Sequence, residues 1–251
     1  MKIIALVNHK GGVGKTTTTL NLGKSLSLMG KKVLLIDLDP QANLSQSLGI
    51  REPENTVFEV LCENQTPVIL KIADNFDLLP ADLSLATADY KLQAEQFSGY
   101  TKLRKMLQPI TKNYDYILID CPPSLGILTV NALAFATDML IIAEPEYLSI
   151  TGLQTILELH GRTLETLNAN LNFLGIVFTQ FNRSVVGKGI IQGIKENYPN
   201  KVFETVIREN VKLSEASIHK KDIFAYDNTS IGAKDYELLA NEILTNLTKN
   251  G

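Results

Sequence analysis

A glycine-rich segment with two lysines lies close to the start of the chain. Residues 9–17 read HKGGVGKTT and come one residue after the apolar residues 3–7. The Gly-Lys-Thr ending is typical of a loop whose backbone N–H groups wrap a phosphate chain, with Lys15 beside the β- and γ-phosphates and the Thr16 hydroxyl on Mg²⁺. One lysine suffices for this chemistry, so the second, Lys10, suggests a switch built from two subunits.

The loop departs from the strict phosphate-loop pattern at its first position. That pattern asks for a glycine five residues before Gly14, and His9 stands there instead. The order of elements still favours the loop, because an apolar strand precedes it and residues 17–28 carry leucines at helical spacing. A plain glycine turn is the alternative for the segment, and an exposed loop lysine is the alternative for Lys10.

Three carboxylates come at the ends of apolar runs. Asp37 and Asp39 follow residues 33–36, and Asp120 follows residues 116–119. In a parallel sheet these strand ends share the edge at which ligands bind. Carboxylates at that edge can hold Mg²⁺ through water or orient an attacking water molecule. The alternative for each is a residue that begins a turn or a helix.

Apolar runs alternate with helical segments along the 251 residues. This order predicts one large α/β domain in which a mostly parallel sheet lies between helices. The strands are expected at residues 3–7, 33–36, 76–79, 116–119, 139–143 and 173–178. The covering helices are expected at residues 17–28, 56–62, 85–95, 101–111, 126–136, 150–167, 189–198 and 231–248.

Composition argues against several other classes of protein. The sequence has no run of about eighteen apolar residues, no signal-peptide pattern at its start and no metal or disulfide spacing between Cys62 and Cys121. A cytoplasmic protein is expected. The net charge is −3, yet residues 183–221 hold eight Lys/Arg against four Glu. This local excess suggests an anionic partner, with an ordinary solvated helix face as the alternative.

Four motifs in order indicate the family that the chain resembles. They are HKGGVGKTTTTLNLG, LLIDLDPQANLSQSLGI, YILIDCPPSLGILTVNAL and VIRENVKLSEA. Together they strongly resemble the deviant Walker A ATPases of the ParA/Soj group, within the ParA/MinD superfamily, over nearly the whole chain. The resemblance implies a P-loop NTPase fold of the SIMIBI type, with a mostly parallel twisted sheet flanked by helices. It also implies ATP/ADP and Mg²⁺ as cofactors and slow ATP hydrolysis.

The same resemblance implies roles for individual residues. Lys10 matches the lysine that reaches the phosphates of the partner subunit, acting in trans like an arginine finger. Lys15 and Asp39 complete the catalytic set, with Asp39 linked to water positioning. Nucleotide-binding residues are expected at Lys10, Gly11, Gly12, Val13, Gly14, Lys15, Thr16, Thr17, Asn182, Ile207, Arg208 and Glu209. Asn182 would read the adenine, and the metal-binding residues would be Thr16, Asp37 and Asp120.

The implied partners are a second copy of the chain on ATP binding, double-stranded DNA bound without sequence preference, and a ParB-like activating protein. A nucleoid-associated location follows from the DNA. DNA-binding residues are expected at Arg183, Lys188, Lys212, Lys220 and Lys221, through phosphate contacts. Where many members of the family carry proline and arginine, this chain has Arg208 and Glu209, which puts the base contacts and one DNA contact in doubt. A helix-turn-helix domain before the first strand is not expected.

Two alternatives share the phosphate loop. A MinD-like membrane ATPase would need a C-terminal helix with a basic amphipathic face. Residues 233–251 instead place an apolar stripe beside acidic residues and predict a helix packed in the core. No membrane partner is therefore expected. A ParA-like ATPase that positions a protein cargo carries the same motifs, so the cargo is left open. A scaffold without hydrolysis is disfavoured, because the catalytic lysine and the aspartates are all present.

Overall fold

The computed structural model describes residues 1–146 and 149–249, which form a seven-stranded sheet covered by helices. The strands β1–β7 are Lys2–Val7, Val33–Asp37, Leu70–Ala73, Phe76–Leu79, Tyr116–Asp120, Asp138–Ala143 and Asn172–Phe178. Their spatial order is β3-β4-β2-β5-β1-β6-β7, and every neighbouring pair is parallel except β3 and β4. The mostly parallel sheet predicted from the sequence is confirmed.

The first seven helices of the described residues lie in the connections between strands, and the last four follow β7. Within the described ranges, α1–α11 are Lys15–Leu28, Asn43–Ser47, Val57–Cys62, Ala88–Ala94, Lys102–Leu107, Ile127–Phe135, Ser149–Thr166, Val185–Asn197, Val211–Ile218, Ile223–Asp227 and Ile231–Lys249. Short 3₁₀ segments lie at Leu83–Thr87, Gln96–Thr101 and Gln108–Asn113. The crossovers bring the carboxyl ends of the parallel strands to one edge of the sheet.

Strand β1 shows why continuous apolar runs mark the strands of this sheet. Ile3 and Val7 pack into one buried cluster, whereas Ile4 and Leu6 pack into a second cluster on the opposite face. A strand covered on both faces is apolar at consecutive positions instead of alternating. Each such buried side chain contributes about 1.5–3 kcal/mol relative to an exposed one.

Helix α11 packs its apolar stripe into the second cluster. Tyr236, Leu239, Ile243 and Leu247 are all buried, and the Tyr236 hydroxyl lies 3.2 Å from Oγ1 of Thr18 in α1. The core-packed C-terminal helix predicted from the sequence is confirmed. Across the described part of the chain, no helix combines the length and apolarity needed to cross a membrane.

Several elements differ from the sequence prediction. The prediction lacks the edge strand β3 and the helices α2, α9 and α10. Helices α9 and α10 begin at side-chain caps, Asn210 and Asp222, whose oxygens accept from backbone N–H groups in the first turn. Helix α8 begins four residues earlier than predicted, because Ser184 caps it through the N–H of Gly187. The predicted helices at residues 85–95 and 101–111 are each part α-helix and part 3₁₀.

Candidate nucleotide-binding site

The glycine-rich segment forms the loop between β1 and α1. Gly12 and Gly14 have φ angles of 81° and 84°, in the left-handed region that glycine adopts without strain. Helix α1 begins at Lys15, and its N-cap makes no side-chain hydrogen bond to the first turn. Backbone N–H groups at such a helix start attract anions. The loop therefore has the geometry expected for holding a phosphate chain.

Lys15 lies inside this loop and is 6% exposed. Its Nζ donates a hydrogen bond to the carbonyl oxygen of Lys10 at 3.2 Å. Burial lowers the pKa of Lys15, while the negative charge of Asp120 acts in the opposite direction. A buried ammonium group next to a helix start can donate strong hydrogen bonds to phosphate oxygens.

Lys10 has a different environment from Lys15. Its Nζ donates to Oε2 of Glu144 at 2.6 Å and to Oε2 of Glu146 at 2.9 Å. These hydrogen bonds raise the pKa of Lys10, and 44% of its side chain is exposed. One lysine is thus directed into its own loop, and the other lies at the surface beside the segment that follows β6.

Two side chains directly after β7 hold the loop from the other side. Thr179 Oγ1 donates to the carbonyl oxygen of Val13 at 2.6 Å. Gln180 Nε2 donates to the carbonyl oxygen of Gly12 at 2.5 Å and to Oε1 of Glu144 at 2.6 Å. The sequence prediction missed both residues, although each follows a strand end, which is the signal that identified the aspartates.

The ends of β2 and β5 place two carboxylates side by side. Asp37 and Asp120 are paired in register and fully buried. Asp120 accepts from Oγ1 of Thr16 at 2.7 Å, while Asp37 accepts from the backbone N and Oγ of Ser45 at 2.9 and 2.7 Å. Burial, reinforced by mutual repulsion, raises the pKa of Asp120 to about 8; burial also raises that of Asp37 to about 6. A bound cation would favour both ionised forms.

The donor set around these carboxylates suits Mg²⁺. Among the described residues, no group of three His, Cys, Asp or Glu could enclose a metal ion. Mg²⁺ is commonly held by one or two protein ligands together with waters and phosphate oxygens. Thr16 and Asp120 lie where such ligands are expected, and Asp37 is fixed beside them by Ser45. Asp39 is 8% exposed and accepts from the backbone N of Gln41 at 2.9 Å.

A cleft of about 620 Å³ opens beside the loop. Gly12, Gly14 and Thr17 line it on one side, and residues 207–211 line it on the other. The loop and Ile207, Arg208 and Glu209 therefore line one cleft, and their contact with a nucleotide stays a prediction. Asn182 is not in this group. It lines an adjoining cleft of about 370 Å³, where its Oδ1 accepts from the backbone N of Ser184 at 3.1 Å, and its contact with adenine stays a prediction.

Arg208 departs from the family pattern, and its guanidinium is bound to α11. Nε donates to the Asp235 oxygens at 3.1 and 3.0 Å, Nη2 also contacts Asp235 Oδ1, and the backbone N of Arg208 donates to Oδ2 at 3.0 Å. Asp235 is only 2% exposed. The positive charge of Arg208 is therefore paired inside the molecule and adds little to the basic segment at residues 183–221.

This pairing predicts a stability effect. Arg208→Leu is expected to lower the free energy of unfolding by about 2 kcal/mol, because it leaves the buried Asp235 carboxylate without its charged partner. Urea unfolding measures the change. Arg208→Leu combined with Asp235→Leu should recover most of the loss, since both charges are then gone. Equal losses in the single and double variants would contradict a charge-pairing role.

The predicted DNA-binding residues lie in or next to α8 and α9, which are successive helices after β7. Arg183 precedes α8 with a left-handed φ of 61°, and Lys188 lies within α8. Lys212 lies in α9 and donates to Oε2 of Glu215 at 2.9 Å. Lys220 and Lys221 follow α9 and are exposed. Lys212 is therefore partly neutralised, and the other four cations face solvent.

His9, the departure from the strict loop pattern, contacts helix α7. A Cβ atom added to Gly152 would lie 1.8 Å from Cε1 of the His9 ring and 2.6 Å from its Nδ1. The ring therefore lies directly on the backbone of the helix, in space that only a glycine leaves open. The start of the phosphate loop is in this way packed against α7.

Comparisons with known proteins agree with this geometry. The family model described as an AAA domain matches residues 1–173. The sporulation initiation inhibitor protein Soj of Bacillus subtilis is 41% identical over 251 residues, covering 98% of this chain and 99% of that protein. The chromosome-partitioning ATPase Soj of Treponema pallidum is 41% identical over 252 residues, covering 97% of each.

A solved structure with a bound nucleotide extends the comparison. Cobyrinic acid a,c-diamide synthase from Mycobacterium smegmatis, with bound ATP analog and magnesium, has a TM-score of 0.87 at 29% identity and covers 100% of this chain and 97% of that one. The fold, the phosphate loop and the full-length sequence similarity lead to one assignment. The chain belongs to the ParA/Soj family of deviant Walker A partitioning ATPases.

Proposed function

We propose that ATP binding closes two copies of this ATPase into a dimer that binds DNA without sequence preference, and that hydrolysis, stimulated by a ParB-like protein, releases the dimer. The cycle would move plasmid or chromosomal DNA during segregation. The observation that carries this proposal is the different placement of the two loop lysines. Lys15 is buried in its own loop, whereas Lys10 lies at the surface with 44% of its side chain exposed.

Members of this family are ATPases that use Mg²⁺. Side chains of the phosphate loop and of the strand ends would perform the individual steps of hydrolysis. Lys15 would neutralise the phosphates bound in its own loop. Thr16 and Asp120 would hold Mg²⁺, which would supply positive charge to the bound phosphates. Asp39 would orient the attacking water. Lys10 of the opposite subunit would then stabilise the negative charge that develops during hydrolysis.

Exposed cations support the DNA-binding part of the proposal. Arg183, Lys188, Lys220 and Lys221 are exposed, and within the described ranges none of them forms an ion pair. Phosphate contacts of this kind need clustered cations and no base-reading helix. A dimer doubles the number of contacts, which makes DNA affinity depend on the nucleotide.

One experiment tests the proposal as a whole. Oligomeric state and DNA binding are measured side by side with ATP, ADP and no nucleotide, each across a salt series. We expect a dimer and tight DNA binding with ATP alone, with an affinity that falls steeply with salt. Equal affinity with ATP and ADP, or an affinity independent of salt, would refute the proposal. Adding a ParB-like protein should then accelerate hydrolysis.

The pairing of Lys212 gives a more specific prediction. Glu215→Gln is expected to raise DNA affinity about twofold to fivefold at low salt, because it frees the Lys212 ammonium and removes one negative charge. Fluorescence anisotropy of a labelled duplex with a nonhydrolysable ATP analogue measures the effect. Glu237→Gln, an exposed position on α11, is the matched control. An unchanged or weaker affinity for Glu215→Gln would argue against a DNA contact at Lys212.

A further inference from the structure

The Lys10 ammonium group is bound by two glutamates of its own subunit. A lysine ammonium has three N–H donors, and two of those of Lys10 are given to Glu144 and Glu146. Both glutamates belong to the segment directly after β6. In this position Lys10 can offer only one N–H to another acceptor, so it must leave the glutamates to offer all three to the phosphates bound to a partner subunit.

Hydrogen bonds link both Glu144 and the backbone of Lys10 to the nucleotide loop. Gln180 Nε2 bridges the carbonyl oxygen of Gly12 and Oε1 of Glu144, so that one amide group touches both the loop and the carboxylate. Lys15 Nζ donates to the carbonyl oxygen of Lys10 itself. A phosphate that attracts Lys15 competes with that carbonyl, and a loop that changes shape around a phosphate changes the contact at Gly12.

We propose that Glu144 and Glu146 form an acceptor within the subunit that holds back the Lys10 ammonium, and that Gln180 is a positioning residue linking this acceptor to the nucleotide loop. The inference rests on the proposed function, since it assigns a regulatory contact to the lysine of that site. Lys10 moves to the partner subunit only when the phosphates bound there attract its ammonium group more strongly than the two carboxylates do.

The arrangement explains why a dimer would be confined to the ATP state. A triphosphate presents more negative charge than a diphosphate, so it competes better with the two glutamates for one ammonium group. Glu144 is half-buried and Glu146 is exposed. Ion pairs at such positions are weak, of a strength that a ligand can reverse. The contact therefore delays dimerisation without preventing it.

The first measurement uses the nucleotide-free protein and reads Lys10 directly. Competitive acetylation followed by peptide mass spectrometry reports the reactivity of Lys10 relative to Lys71. In Glu144→Gln combined with Glu146→Gln we expect that reactivity to rise about threefold or more, because the ammonium loses two charged acceptors. Gln180→Leu should raise it less, and Glu204→Gln, which removes the ion pair with Lys195 elsewhere, should leave it unchanged. Unchanged Lys10 reactivity in the double variant would overturn the proposal.

The second measurement follows dimerisation by analytical ultracentrifugation with a nonhydrolysable ATP analogue. The double variant should reach half-maximal dimer at an analogue concentration about threefold to tenfold lower than wild type, with Glu204→Gln again as the control. A rise in Lys10 reactivity without this shift would overturn the regulatory role. If wild type forms no dimer at all, the proposed function fails, whereas the acetylation result still decides whether the glutamates hold Lys10.

Discussion

Lys10→Ala is expected to lower ATP turnover by about 10³-fold or more, because a cation supplied in trans to a transferring phosphate contributes about that much to the rate. Nucleotide binding to the single subunit should persist, since Lys15 and the loop amides are untouched. Lys15→Ala should instead abolish productive nucleotide binding. Steady-state hydrolysis and nucleotide affinity by isothermal titration calorimetry separate the two effects.

Mixing variant subunits provides the control. In a mixed dimer of Lys10→Ala and Asp39→Ala, the site with an intact Asp39 faces a partner with an intact Lys10. Random pairing at equal amounts should then restore about a quarter of wild-type turnover, because half of the dimers are mixed and each has one complete site. Formation of mixed dimers is verified separately with differently tagged subunits. Mixed dimers without any turnover would contradict the assignment of Lys10 to the opposite site.

Asp120→Asn is expected to make the metal-free protein more stable and the enzyme inactive. The pKa of the buried Asp120 is raised to about 8, chiefly by burial and secondly by the charge of Asp37. Ionising such a carboxyl group without a cation is costly, so asparagine should raise the free energy of unfolding by about 2 kcal/mol at pH 8.5. For a chain of this size that corresponds to about 4–8 °C in Tm. Turnover should fall at least about 100-fold with the loss of a metal-site carboxylate.

The stability gained by Asp120→Asn should depend on pH. The folded protein keeps a proton on Asp120 that the unfolded chain has lost, so the stability from that proton is full below about pH 4 and disappears as pH rises to about 8. The advantage of Asp120→Asn in EDTA should therefore be small at pH 5 and largest above pH 8. Differential scanning fluorimetry at both pH values measures it. A variant less stable than wild type at pH 8.5 would contradict the cost of the buried charge.

The parallel strands could be predicted because each is a short apolar run buried on both faces. The edge strand β3 could not, since its residues Leu70–Ala73 are half-buried or exposed and give neither a run nor a clear alternation. The helices α9 and α10 have only eight and five residues, which is too short for periodicity to stand out. Their caps, Asn210 and Asp222, were the available signals.

The site was predictable in its backbone and only partly in its side chains. The strand-end rule identified Asp37 and Asp120, and applied to β6 and β7 it would also have identified Glu144 and Gln180. Pairings over long separations carry no local signal. The bond between Arg208 and Asp235 spans 27 positions, so a residue counted from sequence as part of a basic surface turns out to be neutralised by another helix.

The contact between His9 and Gly152 ties together two positions that are distant in the chain. A side chain at position 152 would overlap the imidazole ring in its present position, so a substitution there requires the exposed His9 ring to move. Glycine at position 9, as in the strict phosphate-loop pattern, would remove the ring that such a side chain overlaps. The residue type at the start of the loop therefore affects which side chains α7 can carry at position 152.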